Sequence, residues 1–180
     1  MIYSKDEVYA MCKKVAPAVQ MDAKLLYAIC LQEGGKTKTG EFAPDKARLE
    51  QGYYLRYVEK DNLSTTTEVL LAASFGIMQM MALSLKEVKD HTGKNYFEWY
   101  FNQQSDNMKA FLIEPLSDIA VVKAINYYCA TLEVMIVWGS RWAKKKMDMA
   151  KGSLPLFCKY WNGDSTGKYY NELMVKYNSI

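Results

Sequence analysis

The sequence predicts a mostly α-helical single domain with one central buried helix and at most a small sheet. Three observations carry that reading. Capping pairs precede apolar residues at helical spacing along much of the chain. Glycine and proline are scarce, 10 and 4 in 180 residues, which excludes collagen-like and disordered chains. No internal repeat, low-complexity stretch or Pro/Ser-rich linker divides the chain, so residues 1–180 read as one unit.

Taken in order, Ser4 and Glu7 form a capping-box pair ahead of Val8, Met11, Cys12 and Val15, and Pro17 is expected to interrupt that helix. A second helix is predicted from about Asp22 to Glu33, with Leu26, Ile29 and Cys30 on one face and Gly34-Gly35 ending it. Residues 36–63 are polar and aromatic, and fit a short sheet or an irregular turn-and-helix segment. Thr65 with Glu68, and Ser84 with Glu87, mark two short helices. The central helix is predicted over about Ser117 to Trp138, carrying Ile119, Val122, Asn126, Cys129, Leu132 and Ile136. Pro155 opens a helix through Tyr160, and Tyr169 to Tyr177 makes the last.

Half of the residues are hydrophobic, enough for one sizeable core in a chain too short for two comfortable domains. Lys plus Arg is 23 and Asp plus Glu is 20, a net charge of +3. That excludes a dedicated nucleic-acid arm and an acidic tail, while suiting encounter with an anionic polymer. The densest apolar window, Ile119 to Trp138, is broken by Lys123, Asn126 and Glu133, so no membrane insertion is expected. The first residues lack the basic start and apolar run of a secretory signal, which implies synthesis in a cytoplasm and export by outside help. Cys12, Cys30, Cys129 and Cys158 contain no C-x-x-C pair, and His91 is the single histidine. Free thiols, no metal and no cofactor are therefore expected.

Glu33 is the most informative residue. With Leu26, Ile29 and Cys30 it stands at i, i+3, i+4 and i+7, so a carboxyl group continues an apolar stripe. It also falls in the last helical turn, at the negative end of the dipole. Both features disfavour the charged carboxylate, and an acid that keeps its proton can protonate a poor leaving group. The bland alternative is an exposed Glu that bends past the stripe.

Two further segments follow: Ser74-Phe75-Gly76-Ile77-Met78-Gln79-Met80, and Tyr160-Trp161-Asn162-Gly163. With Gln32-Glu33-Gly34-Gly35 they resemble, in order and spacing, the motifs of the lysozyme-like superfamily, which includes goose-type lysozymes and lytic transglycosylases. The chain is most similar to the phage-type N-acetylmuramidases of endolysins. Those carry a Glu-Ser-Gly-Gly block, a Leu-Phe-Glu block ending in Arg, a Ser-Trp-Gly-x-x-Gln block and a Tyr-Asn-Gly block. Leu49-Glu50 to Arg56 resembles the second; Ser74, Gly76 and Gln79 match the third; Asn162-Gly163 matches the fourth. Gly34 stands where the family has Ser, Gly52 where it has His, and Trp161 where it has Tyr. The family's phenol near the acid would then have to come from Tyr160.

The resemblance implies a lysozyme-like fold and cleavage of peptidoglycan glycan strands. Glu33 would be the acid, Ser74, Gln79, Tyr160 and Trp161 would line the sugar groove, and Asn162 would bond an N-acetyl group. Gln79 and Asn162 also have plain structural readings, as a helix start and an Asn-Gly turn. Glu50 would be the second carboxylate, with Asp45 and Asp61 as rivals; alternatively it forms a structural pair with Arg48 or Arg56. Met78, Met80 and Met81 read as core filler, and Tyr96 to Phe101 as core packing rather than a sugar platform. Lys144-Lys145-Lys146 reads as a solvated helical face that can also aid adsorption to an anionic wall.

The expected activity is a muramidase hydrolysing the β-1,4 bond between N-acetylmuramic acid and N-acetylglucosamine, in an endolysin or virion-borne lysin. A lytic transglycosylase and an inert wall-binding or structural virion domain are the rivals. The expected partner is the bacterial peptidoglycan strand, met by a monomer that is made in a host cytoplasm without a signal peptide. It would act on the wall after release, or be carried in a virion.

Overall fold

The computed structural model describes residues 2–50, 68–70, 72–103 and 118–180. The described residues are mostly helical, with one small sheet. Helix α1 spans Lys5–Val19 and α2 spans Ala23–Glu33; strands β1 (Ala47–Leu49), β2 (Ala73–Phe75) and β3 (Met80–Met81) follow. Then come α3 (Ala82–Glu87), α4 (Tyr96–Asn102), α5 (Asp118–Ala130), α6 (Leu132–Met149), α7 (Leu154–Asn162) and α8 (Lys168–Asn178). The Thr65 cap, Arg56, Gly52 and Asp61 lie outside the described residues.

Helix α1 starts with the capping box expected of Ser4 and Glu7, each side chain bonding the other residue's backbone N–H. A serine cap of this kind is worth about 1 kcal/mol. Pro17 does not end the helix. It sits in the last turn, where the missing N–H removes one bond shortly before the helix stops at Val19, and Gln20 closes it with φ 54°.

Helix α2 begins at an Asp22 cap, and every residue from Leu25 to Cys30 is buried. A helix buried on all faces must be a central one. It packs against α1 on one side and α8 on another. Leu26 and Ile29 are fully buried, and burial of each such side chain contributes about 1.5–3 kcal/mol. This is the central helix of the molecule, and its last residue is Glu33.

The helix expected over residues 117–138 is instead two helices. Thr131 adopts extended backbone (φ −127°, ψ 107°) and separates α5 from α6. The two axes differ by 101°, so no single helix among the described residues is long and apolar enough to cross a membrane. The bend lets both apolar faces reach the same core. Tyr128 of α5 and Trp138 of α6 meet the Tyr96 ring edge-on, at 5.6 and 5.5 Å between centroids. The freed carbonyl of Ala130 accepts from the Tyr3 hydroxyl at 3.2 Å. Tyr96, Phe97 and Tyr100 are all buried, so the aromatic run packs the core as read.

The three strands form an antiparallel sheet in the order β1-β2-β3, pairing Arg48 with Ser74 and Ser74 with Met81. Helix α3 follows β3 without a linker. Its N-cap is Met81, so Ser84 lies inside the helix instead of capping it. Met78 and Met80 are buried core, whereas Met81 is partly exposed. The thiols of Cys12, Cys30, Cys129 and Cys158 are free, and the Cys12 and Cys30 sulfurs lie 4.0 Å apart between α1 and α2.

Candidate active site

The end of α2 is shaped by a close approach. Gly34 stops the helix with φ −61° and ψ 128°, which is extended backbone and not the left-handed cap that Gly-Gly suggests. What the position requires is room: a Cβ there would lie 2.6 Å from both the Cys30 carbonyl oxygen and the Phe42 ring. Lys36 returns beneath the helix end and donates to the Leu31 carbonyl at 2.6 Å, satisfying one of the terminal acceptors.

Glu33 is only half-buried, so the apolar stripe delivers the carboxyl group to a groove edge and does not engulf it. Its Oε1 accepts two hydrogen bonds, from the Trp161 indole N–H at 2.9 Å and from the Tyr169 hydroxyl at 2.6 Å. The Tyr169 phenol is pushed far up, first by burial and then by the Glu33 charge, so it remains a donor at any working pH. Trp161 and Tyr169 come from α7 and α8, which pack against each other. The phenol beside the acid is therefore Tyr169, and Tyr160, the expected donor, is 39% exposed on the groove wall.

The loop between α7 and α8 fixes that phenol. Gly163 (φ 80°) closes α7, and Asp164 then accepts from Thr166 through both its N–H and its hydroxyl. The other Asp164 oxygen accepts the Tyr169 backbone N–H at 2.7 Å. These bonds, the Thr166 hydroxyl first, hold the Asp164 carboxyl below its ordinary range. Removing the Tyr169 hydroxyl leaves Glu33 with one donor. On the expectation that Glu33 is a catalytic acid, Tyr169→Phe should lower kcat about 10–100-fold, with KM and near-UV dichroism little changed. A loss of structure or a pure KM effect would exclude a positioning role.

The sheet places the second group. Glu50 Oε1 accepts from Arg48 Nε at 2.7 Å and from the Ser74 hydroxyl at 3.2 Å. The Arg48 pair is the structural reading of Glu50, yet the carboxylate still faces the groove. Gln79 has φ 46°, and its amide nitrogen donates to the carbonyls of Gly76 (2.8 Å) and Lys46 (3.2 Å). Its oxygen lies 3.1 Å from the Ser74 hydroxyl. The Gln79 amide is thus engaged with the sheet, and it orients Ser74 more than it offers bonds to a ligand. Gly76, with φ 73° and Met135 Sδ 2.8 Å from where its Cβ would be, is the turn that allows this.

Glu33, Glu50, Ser74, Gln79, Tyr160, Trp161 and Asn162 line one cavity of about 440 Å³. These seven sequence-named residues are thereby brought together; Asp45, a rival second carboxylate, is exposed and does not line the cavity. A second hollow of about 400 Å³ continues past Glu33, sharing Glu33, Arg48 and Asn162 with the first. Glu33 therefore stands where the two hollows meet. Sequence reasoning missed Tyr169, and it also missed Glu87, Trp142 and Lys146 on the cavity wall. Chemically, the site offers a carboxyl group with one oxygen held by neutral donors, a carboxylate paired with Arg48, and aromatic walls.

No protein-family model, curated protein or solved structure matches the chain.

Proposed function

We propose that the chain is a peptidoglycan muramidase of lysozyme-like fold, with Glu33 as the general acid. The supporting observation is the setting of Glu33 at the end of a buried helix and where two hollows meet, with Trp161 and Tyr169 donating to one oxygen. The likeness of the Glu33, Ser74–Gln79 and Asn162-Gly163 segments to the muramidase blocks supports the same reading.

In this mechanism Oε1 is occupied by its two donors, so the transferable proton rides on Oε2. Glu33 passes it to the glycosidic oxygen as the bond to N-acetylmuramic acid breaks. Glu50 positions or activates the attacking water, with Arg48 and Ser74 fixing its other oxygen. Trp161, Tyr160 and Asn162 line the path of the sugars. The protein would be an endolysin or virion-borne lysin that reaches the wall on release.

A second reading has a specific observation behind it. The Glu50 oxygen engaged by Arg48 and Ser74 suits a lytic transglycosylase, which needs a single carboxylic acid. Digestion of purified peptidoglycan followed by mass spectrometry tests the proposal. Soluble glycans ending in reducing N-acetylmuramic acid are expected. Intact sacculi after prolonged incubation would overturn both readings in favour of an inert wall-binding or structural domain.

A further inference from the structure

The three consecutive lysines of α6 do not share one environment. Lys144 pairs with Asp148 one turn on, and Lys145 approaches Glu87 at 3.5 Å while also standing 4.9 Å from the centroid of the Trp142 ring. Lys146 turns inward. Its ammonium sits 4.2 Å from the centroid of the Trp142 ring, and both residues line the cavity that contains Glu33 and Glu50. Among the described residues no carboxylate reaches Lys146 at ion-pair distance, although the cavity holds three. Glu50 is taken by Arg48, Glu87 leans to Lys145, and Glu33 is held by neutral donors.

Among the described residues that cation feels Glu87 only at a distance and has no ion-pair partner of its own. It is partly withdrawn from water, and desolvation acts on it before any charge does. Trp142 is 9% exposed and holds the ammonium through its ring face, which fixes direction without neutralising charge. An anion arriving there meets a pre-positioned donor in a half-dry groove, where a charge-assisted bond is stronger than at an open surface.

Resting on the muramidase reading, we infer that Lys146, held over Trp142, is the specificity-determining cation of the groove and selects acidic glycan strands over neutral ones by binding a sugar-linked carboxylate. On a muramic acid without a peptide that carboxylate is the lactyl group; where the lactyl carboxyl is amide-bonded to a stem peptide, it is an acid of the stem. A β-1,4 polymer of N-acetylglucosamine alone carries neither. The groove then distinguishes two polymers with the same backbone by charge.

The test compares wild type, Lys146→Gln and Lys146→Arg on three soluble substrates. These are glycan strands stripped of peptides, strands with stem peptides intact, and a neutral N-acetylglucosamine hexamer. Binding is measured by calorimetry and turnover by released ends. Lys146→Gln should weaken binding of acidic strands, and raise their KM relative to the neutral oligomer, by about tenfold, with kcat little altered. Lys146→Arg should restore most of the loss. An effect on stripped strands assigns the lactyl carboxylate; an effect only on peptide-bearing strands assigns the stem. Equal losses on acidic and neutral substrates, or no loss on either, would overturn the inference. Lys146-dependent binding without cleavage would keep this subsite and refute the muramidase reading; cleavage indifferent to Lys146 would do the reverse.

Discussion

Glu33→Gln is expected to reduce lytic activity by at least about 10²–10⁴-fold while leaving the fold in place. The exchange keeps the size of the side chain and an oxygen that can still accept from Trp161 and Tyr169. Only the transferable proton is lost. The group is half-buried and sits at a helix end, so the melting temperature should move by no more than about 2 °C. Turbidity clearance of wall suspensions and thermal melting measure the two parts. A variant that clears walls at near the wild-type rate would remove Glu33 from the mechanism.

Glu50→Gln has the second largest expected effect, and it separates the two chemistries. If Glu50 delivers water, the variant binds strands but turns over at least about 10²-fold more slowly. Wild-type digests should then carry reducing muramic ends. A transglycosylase uses the C6 hydroxyl of muramic acid as nucleophile, so its products are lighter by one water and Glu50→Gln stays active. Reducing ends together with an active variant would keep the hydrolase and move the second carboxylate. Glu87, which shares the cavity, becomes the leading candidate, while Asp45 is removed by its position away from the groove. Because Arg48 loses its partner in this variant, Arg48→Gln is the control for disturbance of the sheet.

What was legible in the sequence follows from local physics. The Ser4–Glu7 box and the Asp22 cap are satisfied within one turn, so a short window contains all that is needed to read them. The position of Glu33 was readable for the same reason, since helical periodicity places it on the apolar stripe. Its half-burial was not, because that depends on how far α7 and α8 stand off. The bend at Thr131 was hidden by apolar spacing that runs on through it, and periodicity reports faces without reporting whether the axis is straight. Strands of two and three residues are too short to show alternation. Tyr169 was missed because an aromatic at a helix start looks the same whether it fills the core or donates to a carboxylate 136 residues away.

That last separation sets the order in which the surroundings of Glu33 can assemble. Glu33 leaves the ribosome ahead of its two donors, which lie 128 and 136 residues further along. At ordinary rates of translation the carboxyl group waits on the order of ten seconds for them. Through that interval the groove around Glu33 lacks two of its hydrogen-bond donors. Such long-range closure is slow compared with the formation of helices and turns, and it comes late on the folding route. The two hydrogen bonds to Glu33 can therefore form only once α7 and α8 have been made and have docked.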